Sequence, residues 1–358
     1  MSDAETEQSA PSDAQRSKRP RPARPLVSVI APCFNESDAI GPFLRAIRPV
    51  LEGGDFNYEL VFVDDGSADD TRAQLERLAA RDPRISLIAF SRNFGKEAVL
   101  TAGLDHAHGD AVIVIDTDLQ DPPELIGDFV AKWREGYDVV YGQREDRTSD
   151  TAVKRLTAGG FYRLFNSISA VKVPDNTGDF RLMDRRVVET IKALPERSRF
   201  MKGLFAWAGF SSVGVPYARP ERAAGATKFN FWCLWNFALD GIVSFSSAPL
   251  RVWSYVGVCL AGLSLIYASF IILRTIFTGI DVPGYASLLV VVLFFGSVQL
   301  ISVGVLGEYI ARLFVEVKRR PVYVIDEIVG AREKADLVSD ATPGASASDE
   351  KIPLISNG

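Results

Sequence analysis

The stretch that decides the fold is Ala111-Val-Ile-Val-Ile-Asp-Thr-Asp-Leu-Gln-Asp-Pro-Pro-Glu-Leu125. It begins with an apolar run rich in β-branched residues, which predicts a buried strand over 111–115. The run ends in acids. Because Asp116 and Asp118 are two positions apart, a strand that continued through them would point both carboxylates to one side, with Gln120 at the next alternate position. The stretch therefore predicts a strand that ends in a cluster of oxygen atoms.

Such a cluster needs a neutralising partner, because two neighbouring carboxylates repel each other unless a cation or several donors face them. Carboxylate and amide oxygens suit Mg²⁺ or Mn²⁺, which usually bind together with phosphates. The carboxyl edge of a parallel sheet is also where α/β proteins bind ligands. For the Asp-Thr-Asp triplet alone, an acidic turn without a ligand is the better interpretation. The longer context favours a site for a metal and a diphosphate, formed by Asp116, Asp118 and Gln120.

The chain around this stretch alternates apolar strands with amphipathic helices from Leu26 to about Gly142. Strands are expected over 27–31, 58–63, 85–90, 111–115 and 138–141, and helices over about 37–51 and 71–80. This pattern predicts an α/β fold with a mostly parallel sheet and helices on both faces. Polar residues follow every predicted strand, namely Asn35 and Glu36, Asp64 to Ser67, Asn93 to Lys96, Asp116 to Gln120, and Gln143 with Arg144. Their convergence on one edge predicts a ligand site.

Composition limits the other functions. The formal net charge is -5, and the sequence has no aromatic-basic stacking pattern, so general nucleic-acid binding is not expected. Cys33, Cys233 and Cys259 lack the spacing of metal ligands or redox pairs and are interpreted as reduced residues. Residues 1–25 and 332–358 are polar with few large apolar side chains, which predicts disordered tails. The first of these tails has no apolar signal-peptide core, so cleavage and export are not expected.

Two long apolar runs follow the α/β region. Val252 to Leu273 and Val282 to Gly307 carry no charged residue apart from their flanks, and each is long enough to cross a hydrocarbon core of about 30 Å. They predict a two-helix transmembrane hairpin over 251–310. Arg251 precedes the hairpin and Arg312 follows it, together with the basic run 318–320, so the positive-inside rule places the soluble domain and both termini in the cytoplasm. A buried helical pair in a soluble protein is the less favoured alternative.

The segment 229–250, before the first run, predicts an amphipathic helix at the membrane surface. Asn236, Asp240 and Ser244 recur every four residues and form a polar stripe, while aromatic residues surround it. Residues 311–331 are expected to form a cytoplasmic juxtamembrane segment. Small residues in the second run, such as Gly296 and Gly304, would allow close helix packing between subunits, so a homo-oligomer is a further hypothesis.

At this point the sequence resembles family-2 glycosyltransferases of the polyprenyl-phosphate hexose transferase type, which include the bactoprenol glucosyltransferases and dolichol-phosphate mannose synthase. The resemblance covers about residues 26–325. The matching motifs, together with the membrane hairpin, are Ser28-Val-Ile-Ala-Pro-Cys-Phe-Asn-Glu36, Val63-Asp-Asp-Gly-Ser67, Arg92-Asn-Phe-Gly-Lys96, Asp116-Thr-Asp-Leu-Gln-Asp-Pro-Pro-Glu124 and Asn176-Thr-Gly-Asp-Phe-Arg-Leu-Met183.

The resemblance implies a GT-A nucleotide-sugar-binding domain over 26–228 and a role for individual residues. It places Pro32, Phe34, Glu36, Asp65, Lys96, Asp116 and Thr117 at the nucleotide sugar. It places Asp118, Gln120 and Asp116 at a Mg²⁺ or Mn²⁺ ion. Asp179 would lie near the reacting sugar as a catalytic carboxylate, with Asp116 and Arg144 beside it. Arg144, Arg155 and Lys228 would face the acceptor phosphate. For Arg155 and Lys228 a solvated or headgroup-facing charge is an equal alternative.

The resemblance also implies the reaction, an inverting transfer of a hexose to undecaprenyl or another polyprenyl phosphate at the cytoplasmic face of a bacterial plasma membrane. Glucose from UDP-glucose is the expected donor sugar, and mannose or another sugar is the alternative. A processive polysaccharide synthase is disfavoured because the chain has no Gln-x-x-Arg-Trp motif and too few predicted spans. A scaffold without activity is disfavoured because the expected acids and Arg144 are all present.

Overall fold

Eight strands of the described chain form one sheet. The structure, a computed structural model, describes residues 19–144, 177–197, 199–217, 248–278 and 284–330. The strands are β1 (Leu26–Cys33), β2 (Asn57–Asp64), β3 (Ile85–Phe90), β4 (Ala111–Val114), β5 (Val139–Arg144), β6 (Thr177–Asp184), β7 (Ser212–Tyr217) and β8 (Ile325–Val329). Their order across the sheet is β7-β5-β6-β4-β1-β2-β3-β8. The pairs β1·β2, β1·β4, β2·β3 and β5·β7 are parallel, so the predicted α/β fold with a mostly parallel sheet is confirmed.

Helices cover both faces of this sheet. They are α1 (Ser37–Gly53), α2 (Thr71–Ala79), α3 (Lys96–His106), α4 (Leu125–Arg134), α5 (Arg185–Lys192), α6 (Met201–Trp207), α7 (Ala248–Thr278) and α8 (Tyr285–Lys318). In β1, Val29 and Ala31 belong to one core cluster with residues of α1, α2 and α4, whereas Ile30 belongs to another with residues of α3, α5 and α6. Alternate side chains of each central strand are therefore buried on opposite faces, which is why these strands read as continuous apolar runs.

Strand β6 is the main departure from the predicted topology. Gly178-Asp-Phe-Arg181 lie within β6, a strand that is not among those expected from the sequence, and β6 pairs antiparallel with β4 and with β5. This strand lacks the apolar run that predicts the other strands, because Asp179, Arg181 and Asp184 place three charges within it. As a consequence β6 runs back beside β4 and carries its own acid to the edge where β4 ends.

Two long helices follow the soluble domain. Helix α7 covers the first predicted apolar span, and α8 covers the second and continues past Gly307 to Lys318. The two helices contact each other. Among the described residues, one segment, Phe294–Lys318, is long and apolar enough to cross a bilayer, with a mean hydropathy of 1.5.

After α8 the chain returns to the sheet. Strand β8 pairs antiparallel with β3, and Arg72 of α2 forms ion pairs of 2.7 Å with both Asp326 and Glu327. Just before β8, the ring of Tyr323 stacks on Phe90 with the ring centroids 5.1 Å apart. The predicted juxtamembrane segment therefore contains an edge strand, which anchors the end of α8 to the soluble domain.

Arg21, in the segment predicted to be the N-terminal tail, is anchored to the sheet by buried charges. Its guanidinium donates to Asp138 at 3.1 Å and to Asp184, and it lies 4.9 Å from the ring centroid of Trp133. Trp133 in turn donates its indole N–H to Asp184 at 2.9 Å. The side chains of Arg21, Asp138 and Asp184 are at most 8% exposed. Removing the guanidinium would leave two buried carboxylates without their cation.

We expect Arg21→Ala to destabilise the protein by about 3–5 kcal/mol, since breaking a buried ion pair leaves uncompensated charge. The control is Arg48→Ala, which removes an ion pair of 3.1 Å with Asp82 whose arginine side chain is 38% exposed; its cost should be within about 1 kcal/mol. Denaturant unfolding of both variants in detergent measures the difference. Equal losses of unfolding free energy would contradict the anchoring role.

Candidate active site

Hydrogen bonds join the loops that follow β1 and β2. Asn35 adopts a left-handed conformation (φ 54°), which asparagine tolerates well, and its backbone N–H donates to Ser67 Oγ at 2.8 Å. Its side-chain oxygen accepts from the N–H of Ala68 at 2.8 Å. The N–H of Glu36 donates to Thr71 Oγ1 at 2.9 Å. These bonds hold the predicted nucleoside-binding residues after β1 beside Asp65, which follows β2.

Asp65 extends this network to the loop after β3. Its carboxylate is buried and accepts from the backbone N–H groups of Phe94 at 2.7 Å and Gly95 at 3.0 Å. Burial raises the pKa of Asp65, although the two N–H donors oppose the rise. Gly66 has φ 68°, and a Cβ there would lie 2.6 Å from the carbonyl carbon of Arg92, so only glycine fits this close approach. Three strand ends are thus fixed relative to one another.

The acidic stretch after β4 forms a turn. β4 ends at Val114, so the expectation that the strand continues through Asp116 and Asp118 is wrong, and alternation does not explain their placement. The chain leaves the sheet and reverses at Leu119, which has φ 57°. Asp118 Oδ1 accepts from the backbone N–H of Gln120 at 3.1 Å, a bond that orders the turn locally. Thr117 and Gln120 are buried, whereas Asp116 and Asp118 are partly exposed.

Strand β6 brings Asp179 to Asp116. In the antiparallel register Val114 is opposite Arg181, so the same count places position 116 opposite position 179 just beyond the end of β4. Lys96, at the start of α3, joins the two acids. Its ammonium lies 2.9 Å from both Asp116 oxygens and 2.7 Å from Asp179 Oδ2. The structure therefore assembles a carboxylate–ammonium–carboxylate cluster from three residues that are distant in sequence.

The cluster keeps Asp179 ionised. Burial opposes the charge of Asp179, but Lys96 and then Lys202, whose ammonium is 3.8 Å from Asp179 Oδ1, outweigh it and hold the pKa of Asp179 well below its usual value. Burial would lower the pKa of Lys96, but Asp179 and Asp116 raise it. An aspartate held in this way is a poor proton acceptor near neutral pH, so its chemistry is to orient and to stabilise charge.

Sequence reasoning missed three charged residues around this cluster. Lys202 lies on α6 and had no motif to mark it. Arg181 is buried on β6, donates to the carbonyl of Gly178 at 2.8 Å and stacks over the ring of Phe205. Glu97 accepts from the backbone N–H of Met201 at 2.9 Å. The Gly-Asp-Phe-Arg motif was the only signal available for Arg181, and Glu97 could have been flagged only by its neighbour Lys96.

The remaining predicted site residues lie at the sheet edge or outside the described part of the chain. Phe34 is 39% exposed at the sheet edge, and Pro32 is partly buried at the end of β1. The backbone of Arg144 ends β5 at the same edge. Arg155 and Lys228 lie outside the described residues.

A divalent cation would find few protein ligands here. Within the described ranges, no group of three or more His, Cys, Asp or Glu side chains is arranged to hold a metal. Asp116 and Asp118 are two carboxylates two residues apart in one turn, and Gln120 adds an amide. One or two carboxylates that share an ion with substrate phosphates are a usual arrangement for Mg²⁺. The donor set therefore fits a metal that binds together with a diphosphate.

Comparisons with known proteins identify the family of this chain. The model of "Glycosyl transferase family 2" matches residues 28–192, and the model of "GtrB C-terminal hairpin" matches residues 248–313. A prophage-derived bactoprenol glucosyl transferase of Shigella flexneri is 52% identical over 299 residues, which is 84% of this chain and 97% of that protein. An uncharacterized glycosyltransferase of Synechocystis is 53% identical over 304 residues, 85% of this chain and 96% of that protein.

The chain therefore belongs to glycosyl transferase family 2, and it is a glycosyltransferase with a GT-A-like α/β fold. Among solved structures, a mannosyltransferase from Pyrobaculum calidifontis in complex with GDP-Man and Mn²⁺ overlaps 58% of this chain and 61% of its own, with 21% identity and a TM-score of 0.39. A likeness this distant carries no argument about the site.

Glu97 gives the site a measurable pH dependence. Burial, reinforced by Asp179, raises its pKa from 4.5 to about 7, although the N–H of Met201 and nearby lysines oppose the rise. The folded state thus retains a proton that the unfolded chain has lost, so Glu97 makes stability fall as pH rises from about 4.5 to about 7. We expect Glu97→Gln to remove this contribution. The difference between the melting temperature of the variant and that of the wild type should therefore increase as pH rises across that window and stay constant above it.

The control is Glu124→Gln, which changes an exposed carboxylate at the start of α4. Its melting temperature should differ from the wild type by the same amount at every pH. Melting curves measured in detergent between pH 4.5 and pH 8 test both variants. Parallel curves for Glu97→Gln and the wild type would show that Glu97 titrates normally.

Proposed function

We propose that this glycosyltransferase moves glucose from UDP-glucose to undecaprenyl phosphate or a similar polyprenyl phosphate. The observation that carries the proposal is the 52% identity to a bactoprenol glucosyl transferase, which spans 97% of that protein and so includes both the catalytic domain and the hairpin. The carboxylate–ammonium–carboxylate cluster at the carboxyl edge of the sheet supports it. Mannose or another sugar on the same lipid is the alternative donor.

The nucleotide sugar would bind where the strand ends converge. Phe34 offers an exposed ring to the base, while Pro32 and Glu36 flank it on the loop after β1. Asp65 would contact the base or the ribose. Its carboxylate would then accept a hydrogen bond from the nucleoside in addition to those from the backbone N–H groups of Phe94 and Gly95. Thr117, buried in the acidic turn, would line the donor next to Asp116. Lys96 would contact the sugar or diphosphate from the opposite side of Asp116.

A Mg²⁺ or Mn²⁺ ion would be held by Asp118, with Gln120 and Asp116 beside it. When bound, such an ion neutralises the diphosphate that leaves with the nucleoside. Lys96 already neutralises Asp116, so Asp118 would supply most of the negative charge that faces the ion. Arg144 would face the acceptor phosphate from the end of β5, and Arg155 and Lys228, outside the described residues, would complete that phosphate site.

The acceptor shapes the chemistry. A phosphate monoester has a second pKa of about 6, so the phosphate oxygen that attacks the sugar is already largely deprotonated in the cytoplasm. It needs little help from a general base, and Asp179 is held ionised by two lysines. Asp179 and Lys96 would therefore position the sugar and the acceptor for a single in-line displacement, which inverts the anomeric centre. The harder task is to bring two anions together, and the cations around the cluster serve it.

The membrane arrangement is part of the proposal. Helices α7 and α8 would form the transmembrane hairpin, preceded by an interfacial helix over 229–250 that lies largely outside the described residues. The catalytic domain and both termini would be cytoplasmic at a bacterial plasma membrane, consistent with the basic run Lys318 to Arg320 at the end of α8. Labelling of cysteines placed in the connection between α7 and α8, from outside intact cells, tests this topology.

We expect membranes that contain this chain to transfer glucose from UDP-glucose to polyprenyl phosphate. The measurement offers a panel of labelled nucleotide sugars, including UDP-glucose, UDP-galactose and GDP-mannose, and identifies the glycolipid by mass spectrometry. A product with another hexose would refute the choice of donor but keep the acceptor. Absence of any glycolipid, with the protein folded and all donors present, would refute the proposed reaction.

Asp118→Ala tests the metal site. Loss of an electrostatic partner of the leaving diphosphate should lower the transfer rate by roughly a hundredfold or more, and chelation of divalent cations should do the same to the wild type. The matched control is Asp128→Ala, which removes an exposed acid from the first turn of α4 and should leave the rate unchanged. Transfer by Asp118→Ala at the wild-type rate would rule out this aspartate as the ligand.

A further inference from the structure

A cavity lies where the end of α8 meets α3 and the segment before α6. Its volume is about 430 Å³, within the range of about 300–1,000 Å³ that is common for ligand sites. One wall comes from the last turns of α8 and the residues after it, and the other from α3 and the segment before α6. The cavity is therefore at the point where a lipid lying along α8 would present its headgroup.

The lining of this cavity is strongly basic. Five cationic side chains contribute to it and Glu97 is its one acid among the described residues; the cations are Arg197, Arg199, Arg312, Lys318 and Arg320. Because burial raises the pKa of Glu97 to about 7, this acid carries only part of a charge near neutral pH. Phe94, Phe200 and Phe314 supply apolar surface between the cations. Cations beside apolar rings suit a phosphate that is attached to a hydrocarbon chain.

Arg199 carries a donor in the lining that has no partner among the described residues. Arg199 uses its Nε and one Nη to donate to the carbonyls of Glu196 and Leu194, each at 3.0 Å, but its buried Nη1 has no hydrogen-bond partner in the described part of the chain. A buried donor without an acceptor is costly. An anion in the cavity would supply the missing acceptor.

Contacts between the segment before α6 and the end of α8 hold the cavity walls in place. The backbone N–H of Arg197 donates to the carboxylate of Glu316 at 2.9 Å, and its guanidinium donates to the carbonyl of Arg320. Lys318 lies 3.9 Å from the ring centroid of Phe314, which holds its ammonium at the lining. The cavity is thus a feature of the packed interface, and β8 fixes that interface to the sheet.

The cavity also adjoins the catalytic cluster. Glu97 lines it, while the preceding residue, Lys96, bridges Asp116 and Asp179. Glu97 accepts a hydrogen bond from the backbone N–H of Met201. The next residue, Lys202, is the second cation at Asp179. The first turn of α3 therefore borders both sites.

From these observations we infer that this cavity binds the phosphate of the polyprenyl acceptor before transfer, as a staging site separate from the phosphate site proposed at Arg144. The inference rests on the proposed function for the identity of the lipid. The chemistry it recognises is a phosphate on a membrane-embedded chain, so an anionic phospholipid is the competing source and the experiment separates the two.

The test measures equilibrium binding of radiolabelled polyprenyl phosphate to the full-length protein in neutral detergent micelles, without nucleotide sugar. Lys318→Gln and Arg320→Gln should each weaken binding about fivefold, the effect of one cation near an anionic headgroup, and the double variant about 25-fold. Arg319→Gln is the matched control, since it removes a charge from the same run outside the cavity lining and should change binding less than twofold. Equal binding by all variants, or an equal loss in Arg319→Gln, would overturn the inference.

Competition identifies the source of the phosphate. Unlabelled polyprenyl phosphate should displace the probe, whereas polyprenol, phosphatidylglycerol and inorganic phosphate should not. Equal displacement by phosphatidylglycerol would overturn the assignment to the acceptor. In transfer assays the two cavity variants should raise the KM for polyprenyl phosphate by the same factors and leave the KM for the nucleotide sugar unchanged. Because binding needs no sugar, a failure of the proposed reaction and a failure of the staging site give different results.

Discussion

The ammonium of Lys96 between the carboxylates of Asp116 and Asp179 is the interaction on which the site depends. Without a cation, two acids brought together by β4 and β6 would repel each other, and the turn after β4 would have to move away from β6. Asp65 adds a second constraint, because it fixes Phe94 and Gly95, the two residues before Lys96. The position of one ammonium is thus determined by the ends of four strands, and it in turn keeps Asp179 ionised.

The proposed lipid acceptor would require the carboxyl edge of the sheet to lie at a fixed distance from the bilayer. Here the connection is made through the end of α8, since Glu316 binds the backbone of Arg197 and β8 joins the sheet next to β3. Tyr323 stacks on Phe90 at the end of β3, the strand that leads into the loop of Lys96. The end of α8 and the loop of Lys96 are therefore both attached to β3.

The parts of this structure that the sequence predicts are those with local signals. β1 to β5 and the helices α1 and α2 follow from apolar runs and amphipathic patterns, and the polar residues at the strand ends predict a convergent site. β6 was missed because Asp179, Arg181 and Asp184 are paired only after folding, by Lys96, a cation–π contact and Arg21. β8 was missed because Asp326 and Glu327 are exposed acids whose ion-pair partner, Arg72, is far away in sequence. The same reason applies to Lys96, whose partners on β6 no local pattern could reveal.

The acidic turn shows how the predicted residues can come together through a geometry other than strand alternation. Strand alternation was expected to put Asp116 and Asp118 on one side, but β4 ends at Val114 and a left-handed Leu119 reverses the chain. The turn separates the two acids by function, because Asp116 faces Lys96 while Asp118 is ordered by the N–H of Gln120. If β4 had continued through Asp116 and Asp118, both carboxylates would have faced one side and could have bound the same cation. In the turn, Asp116 belongs to the carboxylate–ammonium–carboxylate cluster, and Asp118 would hold the proposed metal ion beside it.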